Sequence, residues 1–328
     1  MRSLRFSLVL LLMLALVPLN GVSAQENVTV VATIEPIASI VQEAFPGINP
    51  VVIIPPGVDP HDYQLTAKQV ELLSRSSVIV TTGGHLPVEK RIAELEKEGT
   101  ITGKALFVDD YMRYGFHYAK EYWYNGKDNP HGVWLDPYNA IAIAEATEKA
   151  LIEADPINAA VYERDFEKFR GKVLAIVEAY RALAPKNVTA IIQMPPDEYA
   201  LDWLGIKAID SIKPEEEVPA MGIDQLVPTA EKSSLIVYGS DSPEQLKKAS
   251  IELAQKSGKP LAEITVFWAS GNYTDWLIKN TASILKALST HPNQEKPEKS
   301  GNIAETYAFL ALLTGIVLGT ALGVILKK

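Results

Sequence analysis

Pro55-Pro56-Gly57-Val58-Asp59-Pro60-His61-Asp62-Tyr63, taken together with Asn129-Pro130-His131-Gly132-Val133-Trp134-Leu135-Asp136-Pro137, decides how this chain is read. Each stretch sets one histidine in a loop rich in proline and in Asp or Asn. Proline restricts the backbone and Asp or Asn favours turns, so a stiff loop aims each imidazole. The chain has five histidines, and two of them share these surroundings. Paired histidines first suggest a metal.

Working outward, short apolar and mostly β-branched runs at 29–32, 51–54, 78–81 and 105–108 alternate with helical patterns at 37–44, 67–74 and 88–98. Such alternation implies a mostly parallel sheet covered by helices. The pattern returns after Asn187, with strands expected at 189–193, 207–211, 234–238 and 264–267, and helices at 199–204, 243–257 and 273–288. The fold class is therefore α/β in two lobes, residues 25–137 and 187–288, each a mostly parallel sheet flanked by helices. The region between them, 138–186, reads as helical. Asp155-Pro156 restarts a helix with an acidic cap and proline at the first helical position. Val161, Phe166, Phe169, Val173, Ile176, Val177 and Tyr180 then recur at helical spacing. A helix over 156–183 would be roughly 40 Å long, a single rigid connection that resists large hinge motion.

The ends suggest where the chain works. Arg2 and Arg5 precede an apolar run over 6–19, and Val22-Ser23-Ala24 supplies small residues before Gln25, the pattern of a secretory signal peptide over 1–24. Residues 289–304 are polar with Pro292 and Pro297, a flexible linker. From Tyr307 to Leu326 the chain is apolar and uncharged, followed by Lys327-Lys328. About 20 such residues span a bilayer, so a C-terminal transmembrane helix is expected over 305–328, anchoring the protein on the extracytoplasmic face of the cell membrane.

The chain has no cysteine, which excludes disulfides and thiolate metal sites. Removing residues 1–24 takes away two arginines and no acids, so the net charge moves from -9 to -11. An acidic exterior argues against nucleic acid and suits the attraction of cations.

The opening Val30-Val31-Ala32-Thr33-Ile34-Glu35-Pro36-Ile37, the Pro-Pro-Gly-Val-Asp-Pro-His-Asp-Tyr loop, the Pro-His…Trp-Leu-Asp-Pro segment and the long helix together resemble the zinc/manganese family of ABC-transporter solute-binding proteins, over about residues 28–288. The resemblance implies a Zn²⁺ or Mn²⁺ ion bound between two lobes and handed to a membrane permease, with His61 and His131 as the first two ligands. Where the family places its third ligand, a His or Glu, this chain has Met194, within Gln193-Met194-Pro195-Pro196-Asp197-Glu198. Where the family has a final acid, it reads Val266-Phe267-Trp268-Ala269-Ser270. Gly132 is one extra residue between His131 and Trp134.

Two histidines fall short of the four ligands zinc prefers. Candidates for the others are Gln193, Met194, Asp197, Glu198 and Asp241, or a water. Met194 is a soft thioether, better suited to Cu(I), or simply a packing residue at a strand end. His85, in Thr81-Thr82-Gly83-Gly84-His85, follows a strand and precedes a helix, the place that faces the crevice in an open α/β sheet. It is a candidate third nitrogen. His117 reads as a surface residue and His291 as part of the linker. Asp136 either orients a ligand histidine or caps the next helix.

The expected function is the membrane-anchored binding subunit of an ABC importer. It would be monomeric and would coordinate a divalent cation, Zn²⁺ or Mn²⁺, without turnover. The alternatives are a protein of this fold whose metal site has been remodelled or lost, binding another solute or a protein partner, and a secreted metal-dependent hydrolase. Against the hydrolase, neither histidine lies in a helical His-Glu-x-x-His arrangement.

Overall fold

The computed structural model describes residues 28–215 and 219–290. Its first sheet is built from β1 (Val30–Ala32), β2 (Val51–Val52), β3 (Val78–Val80) and β4 (Lys104–Leu106), in the order β2-β1-β3-β4 with every neighbour parallel. The helices between these strands are α1 (Glu35–Ala44), α2 (Ala67–Ser74) and α3 (Pro87–Lys97), and the short α4 (Val108–Met112) follows β4. β1 and β3 are buried at every position. Strands covered on both faces need continuous Val, Ile and Ala, and that is what reads Val30-Val31-Ala32 and Val78-Ile79-Val80.

A small antiparallel hairpin follows, β5 (Ala119–Lys120) with β6 (Asp128–Asn129). Then come α5 (Pro137–Ala154) and α6 (Ala159–Leu183), which pack along each other and on α1. The second sheet comprises β7 (Thr189–Ile192), β8 (Lys207–Ser211), β9 (Leu235–Gly239) and β10 (Leu261–Ile264), in the order β10-β9-β7-β8, again all parallel. Its helices are α7 (Asp197–Asp202), α8 (Ile223–Ala230), α9 (Glu244–Ser257) and α10 (Tyr273–Ser289).

The long helix expected from residue 156 begins instead as a 3₁₀ turn over Pro156–Asn158 and becomes α-helical at Ala159. The final strand lies at Leu261–Ile264, three residues earlier than its apolar run suggests. Val266 and Trp268 are buried by tertiary packing outside the strand. Their hydrophobicity therefore reports burial, which periodicity alone does not separate from strand.

The expected fold class needs one correction: its membrane-spanning helix is not part of this fold. Among the described residues no helix is long and apolar enough to cross a membrane. The two longest show why: Glu145, Glu148, Lys149 and Glu153 interrupt α5, and α6 carries Arg164, Lys168, Arg170 and Lys172 among others. In α6 these charges fit a helix with one face on the core and the other in water, whereas Glu148 of α5 is buried and pairs with Lys149. The stretch 305–328 assigned to that span, the 1–24 leader and most of the 289–304 linker lie outside the described residues.

One continuous hydrophobic core runs under both sheets, and a smaller one around Ile191, Ile236 and Leu253 backs the second sheet. Direct bonds tie the two sides together near the cleft floor. Trp134 donates its indole N–H to the carbonyl of Val266 (2.9 Å), and Trp268 donates to Ser39 Oγ (3.0 Å). Glu43 of α1 accepts from the backbone N–H of Thr274 (2.8 Å).

Candidate metal centre

In an open α/β sheet the loops at the carboxyl ends of the strands face the binding crevice, at the point where strand order reverses. The first sheet reverses between β1 and β3. His61 lies in the loop after β2 and His85 in the loop after β3, while His131 follows the hairpin strand β6. All three meet. One ring nitrogen from each lies within 4.8 Å of the others. Ring centroids are 5.1 Å apart for His85–His131, 5.6 Å for His61–His131 and 6.2 Å for His61–His85. All are partly buried, and no carboxylate joins the cluster among the described residues.

Each loop has a local reason to hold its imidazole there. Asp59 Oδ1 accepts the backbone N–H of His61 (2.9 Å) and lies 3.3 Å from its Nδ1. That contact favours a proton on Nδ1 and a lone pair on Nε2, the usual way a carboxylate orients a ligating histidine. Tyr63 anchors the far end of the loop: Gln69 donates to Tyr63 Oη (2.8 Å) and to the carbonyl of Ile53 (2.7 Å).

His85 is set by a buried network. Glu89 is fully buried and accepts from Thr33 Oγ1 (2.8 Å), Thr82 N (2.6 Å), Thr82 Oγ1 (2.8 Å) and Gly84 N (2.9 Å). The Thr82 hydroxyl spends its only proton on Glu89. Toward His85 Nδ1, 3.2 Å away, it is therefore an acceptor, which makes Nδ1 the protonated nitrogen and leaves the Nε2 lone pair. Gly83 and Gly84 have φ of 129° and 104°, so the turn requires glycine. Burial first, and then the neighbouring His131 and His61, hold the pKa of His85 down to about 3, so the ring is neutral at physiological pH. Burial raises the carboxyl of Glu89, opposed by its hydrogen bonds.

His131 donates its backbone N–H to Asn129 Oδ1 (3.0 Å). The extra residue beside it is also explained. Gly132 has φ of 80°, and a Cβ there would sit 2.6 Å from Pro196 Cα and 2.7 Å from its carbonyl oxygen. The backbone bearing His131 presses on the β7–α7 loop where only glycine fits.

The remaining candidates lie elsewhere in bonding terms. Gln193 is buried, donating to Ser250 Oγ (3.0 Å) and accepting from Gly239 N (3.2 Å). Met194 lines the cleft and packs against the smaller core. Glu198 accepts from Trp123 Nε1 (3.0 Å) and Asn129 Nδ2 (3.1 Å). Asp241 accepts from the backbone N–H groups of Val266 (3.0 Å) and Phe267 (2.8 Å). Neither acid belongs to the histidine cluster. Asp197 accepts from Gln193 N and Met194 N, and burial pushes its pKa up to about 8. Asp136 caps α5 through Tyr138 N and Asn139 N, and its other oxygen faces His117 Nε2 at 3.6 Å, away from the cluster. His291 lies outside the described residues.

The cluster opens on a cleft of about 650 Å³ lined from both sheets, including His61, His85 and His131 on one side and Gln193, Met194 and Asp241 on the other. Sequence reasoning passed over Glu89 and Thr82. The available signal was an acid four residues after His85, within Thr81-Thr82-Gly83-Gly84-His85-Leu86-Pro87-Val88-Glu89.

Paired parallel sheets with a histidine-bearing cleft at their carboxyl ends define a cleft-type binding protein. The chain belongs to the family described as zinc-uptake complex component A, periplasmic (ZnuA), whose sequence model matches residues 30–287. It is 33% identical over 184 residues to the metal ABC transporter substrate-binding lipoprotein SloC of Streptococcus mutans, covering 52% of this chain and 57% of that one. It is 26% identical over 298 residues to the zinc-binding lipoprotein AdcA of Streptococcus pneumoniae, covering 85% and 58%. The chain thus spans a little under three-fifths of these curated relatives. Among solved structures, it is similar in fold to ZnuA (TM-score 0.63, 20% identity, 80% of this chain and 98% of that one). It is also similar to FpvC of Pseudomonas aeruginosa in complex with Mn²⁺ (TM-score 0.65, 21% identity, 80% and 98%).

Proposed function

We propose that this protein is the extracytoplasmic binding subunit of a metal importer, capturing a divalent cation in its cleft through His61, His85 and His131 and passing it to a membrane permease. Residues 25–137 and 187–288 act as the two lobes and 138–186 as their connection. The observation that carries the reading is the convergence of three imidazoles, each held by its own loop, on one side of a cleft in a chain of this family. The ion is cargo, and the chemistry is coordination without turnover.

The donor set favours zinc over manganese. Imidazole suits Zn²⁺, whereas Mn²⁺ prefers carboxylate and carbonyl oxygen, and no carboxylate joins the three nitrogens among the described residues. Zn–N bonds of about 2.0–2.1 Å in a tetrahedron put nitrogens about 3.3 Å apart, so small ring movements from the present spacing complete the geometry. Nickel and copper also bind imidazole, so the test includes them. Metal titration of the purified protein, monitored by calorimetry with Zn²⁺, Mn²⁺, Ni²⁺ and Cu²⁺, is expected to give one site that binds zinc at least tenfold more tightly than manganese. Absence of a stoichiometric site, or binding unchanged in His61→Ala/His131→Ala, refutes the reading.

A further inference from the structure

Three imidazoles leave a four-coordinate zinc ion one donor short and a five-coordinate one two short. The facing wall is poorly placed to supply it. Both amide atoms of Gln193 and both oxygens of Glu198 and of Asp241 are engaged by other protein groups. Asp197 is buried and turned toward the backbone of Gln193 and Met194. Met194, the remaining candidate on that wall, offers a soft thioether that suits Cu(I) better than Zn²⁺, which leaves the missing donor to a molecule from outside the chain.

The size of the cleft says what kind of molecule brings it. About 650 Å³ is far more than a metal ion needs and falls within the roughly 300–1,000 Å³ typical of small-molecule pockets. Its walls mix apolar surface from Pro56, Val58, Trp134, Met194, Pro196 and Phe267 with carboxylates. Glu35, Asp59, Glu121, Asp128, Glu215 and Asp241 line it, against Lys127 as the lysine. A polyanionic chelator such as citrate forms an anionic zinc complex and meets repulsion there. A chelator with one amine and one carboxylate forms a singly positive complex with Zn²⁺, which this field attracts.

We infer that the cleft takes its metal as a ternary complex, with the three histidines on one side of the ion and a small amino-acid-type N,O-chelator completing its coordination from the cleft. This inference rests on the proposed function. The chelator replaces water as the outside ligand and fills apolar space that the ion alone leaves wet. Charge selects its class, and the cleft walls limit its size.

Native mass spectrometry and calorimetry on the purified protein test it, with Zn²⁺ alone, Zn²⁺ with one equivalent of L-histidine and Zn²⁺ with one equivalent of citrate. The expected result is a 1:1:1 protein–zinc–histidine species, absent in His61→Ala/His131→Ala, and apparent zinc affinity at least tenfold higher with histidine than with citrate after correction for each chelator's own affinity for zinc. Binary protein–zinc binding only, with both chelators stripping zinc in proportion to their solution affinities, overturns the inference and leaves the proposed function standing. No zinc binding under any of the three conditions overturns both.

Discussion

Both walls of the cleft carry polar side chains but use them differently. On the first-sheet wall, backbone and second-layer groups hold His61, His85 and His131 so that their outer nitrogens converge. On the second-sheet side, Gln193 and Asp241 in the wall, and Glu198, which does not line the cleft, spend their polar atoms on neighbouring backbone and side chains. A side chain's type does not make it a ligand. What matters is whether the surrounding structure has already claimed its lone pairs, because a buried acceptor with satisfied donors gives them up only at a cost.

The sharpest way to break this contrast is to remove two histidines. His61→Ala/His131→Ala should abolish stoichiometric zinc binding in a competition titration against a chromophoric chelator. Loss of outer-sphere partners alone costs about 10–100-fold in metal affinity, and loss of ligands costs more. If zinc affinity in the double variant stays within tenfold of wild type, the two walls do not differ as described.

Gly132→Ala probes the seam between the walls. The new Cβ meets the backbone of Pro196 at 2.6 Å, and the residue must also keep a φ of 80°. Strain and overpacking together should cost about 2–5 kcal/mol in urea denaturation. A cost below about 1 kcal/mol would mean the loop can relax there.

Asp241→Ala should do the reverse of the histidine variants. It leaves the N–H groups of Val266 and Phe267 without their acceptor, costing about 1–3 kcal/mol of stability, while zinc affinity holds within about twofold, an amount worth only ~0.4 kcal/mol. A large drop in zinc affinity in the folded variant would make Asp241 a ligand after all.

A smaller effect is expected on the first wall from Thr82→Val, which removes the acceptor facing His85 Nδ1. Zinc affinity should fall about tenfold, the low end for an outer-sphere partner. No change would mean His85 keeps its tautomer without Thr82.

The last prediction concerns pH. The folded pKa of Asp197, about 8, lies above its ordinary value of 3.8, with burial as the main cause. Between those values the folded protein holds a proton that the unfolded chain has released. Its contribution to stability is therefore full below about pH 4 and is lost as pH rises through 8. Asp197→Asn should flatten that part of the stability–pH curve, measured by urea denaturation between pH 5 and 9. An unchanged slope would remove Asp197 as its source.

Much of this was legible in the chain. Val30-Val31-Ala32 and Val78-Ile79-Val80 are continuous apolar runs because both faces of those strands are covered, and Pro, Asp and Gly mark the loops that carry His61 and His131. These signals are local, since backbone preference and burial periodicity act within a few residues. The end of the second sheet was harder to read, because Val266 and Trp268 are buried outside the strand, in a region tied by hydrogen bonds to Trp134 and Ser39, more than a hundred residues away.

The sequence by itself determined the alternating α/β architecture and the two stiff histidine loops. Tertiary structure alone decided that His85 stands beside His61 and His131 while Glu198 and Asp241 do not join them. Residues 61, 85 and 131 lie far apart in sequence and meet because strand order reverses between β1 and β3 and the hairpin folds back over that point. Which lone pairs remain for an ion depends on where distant N–H groups fall, and no local pattern encodes that.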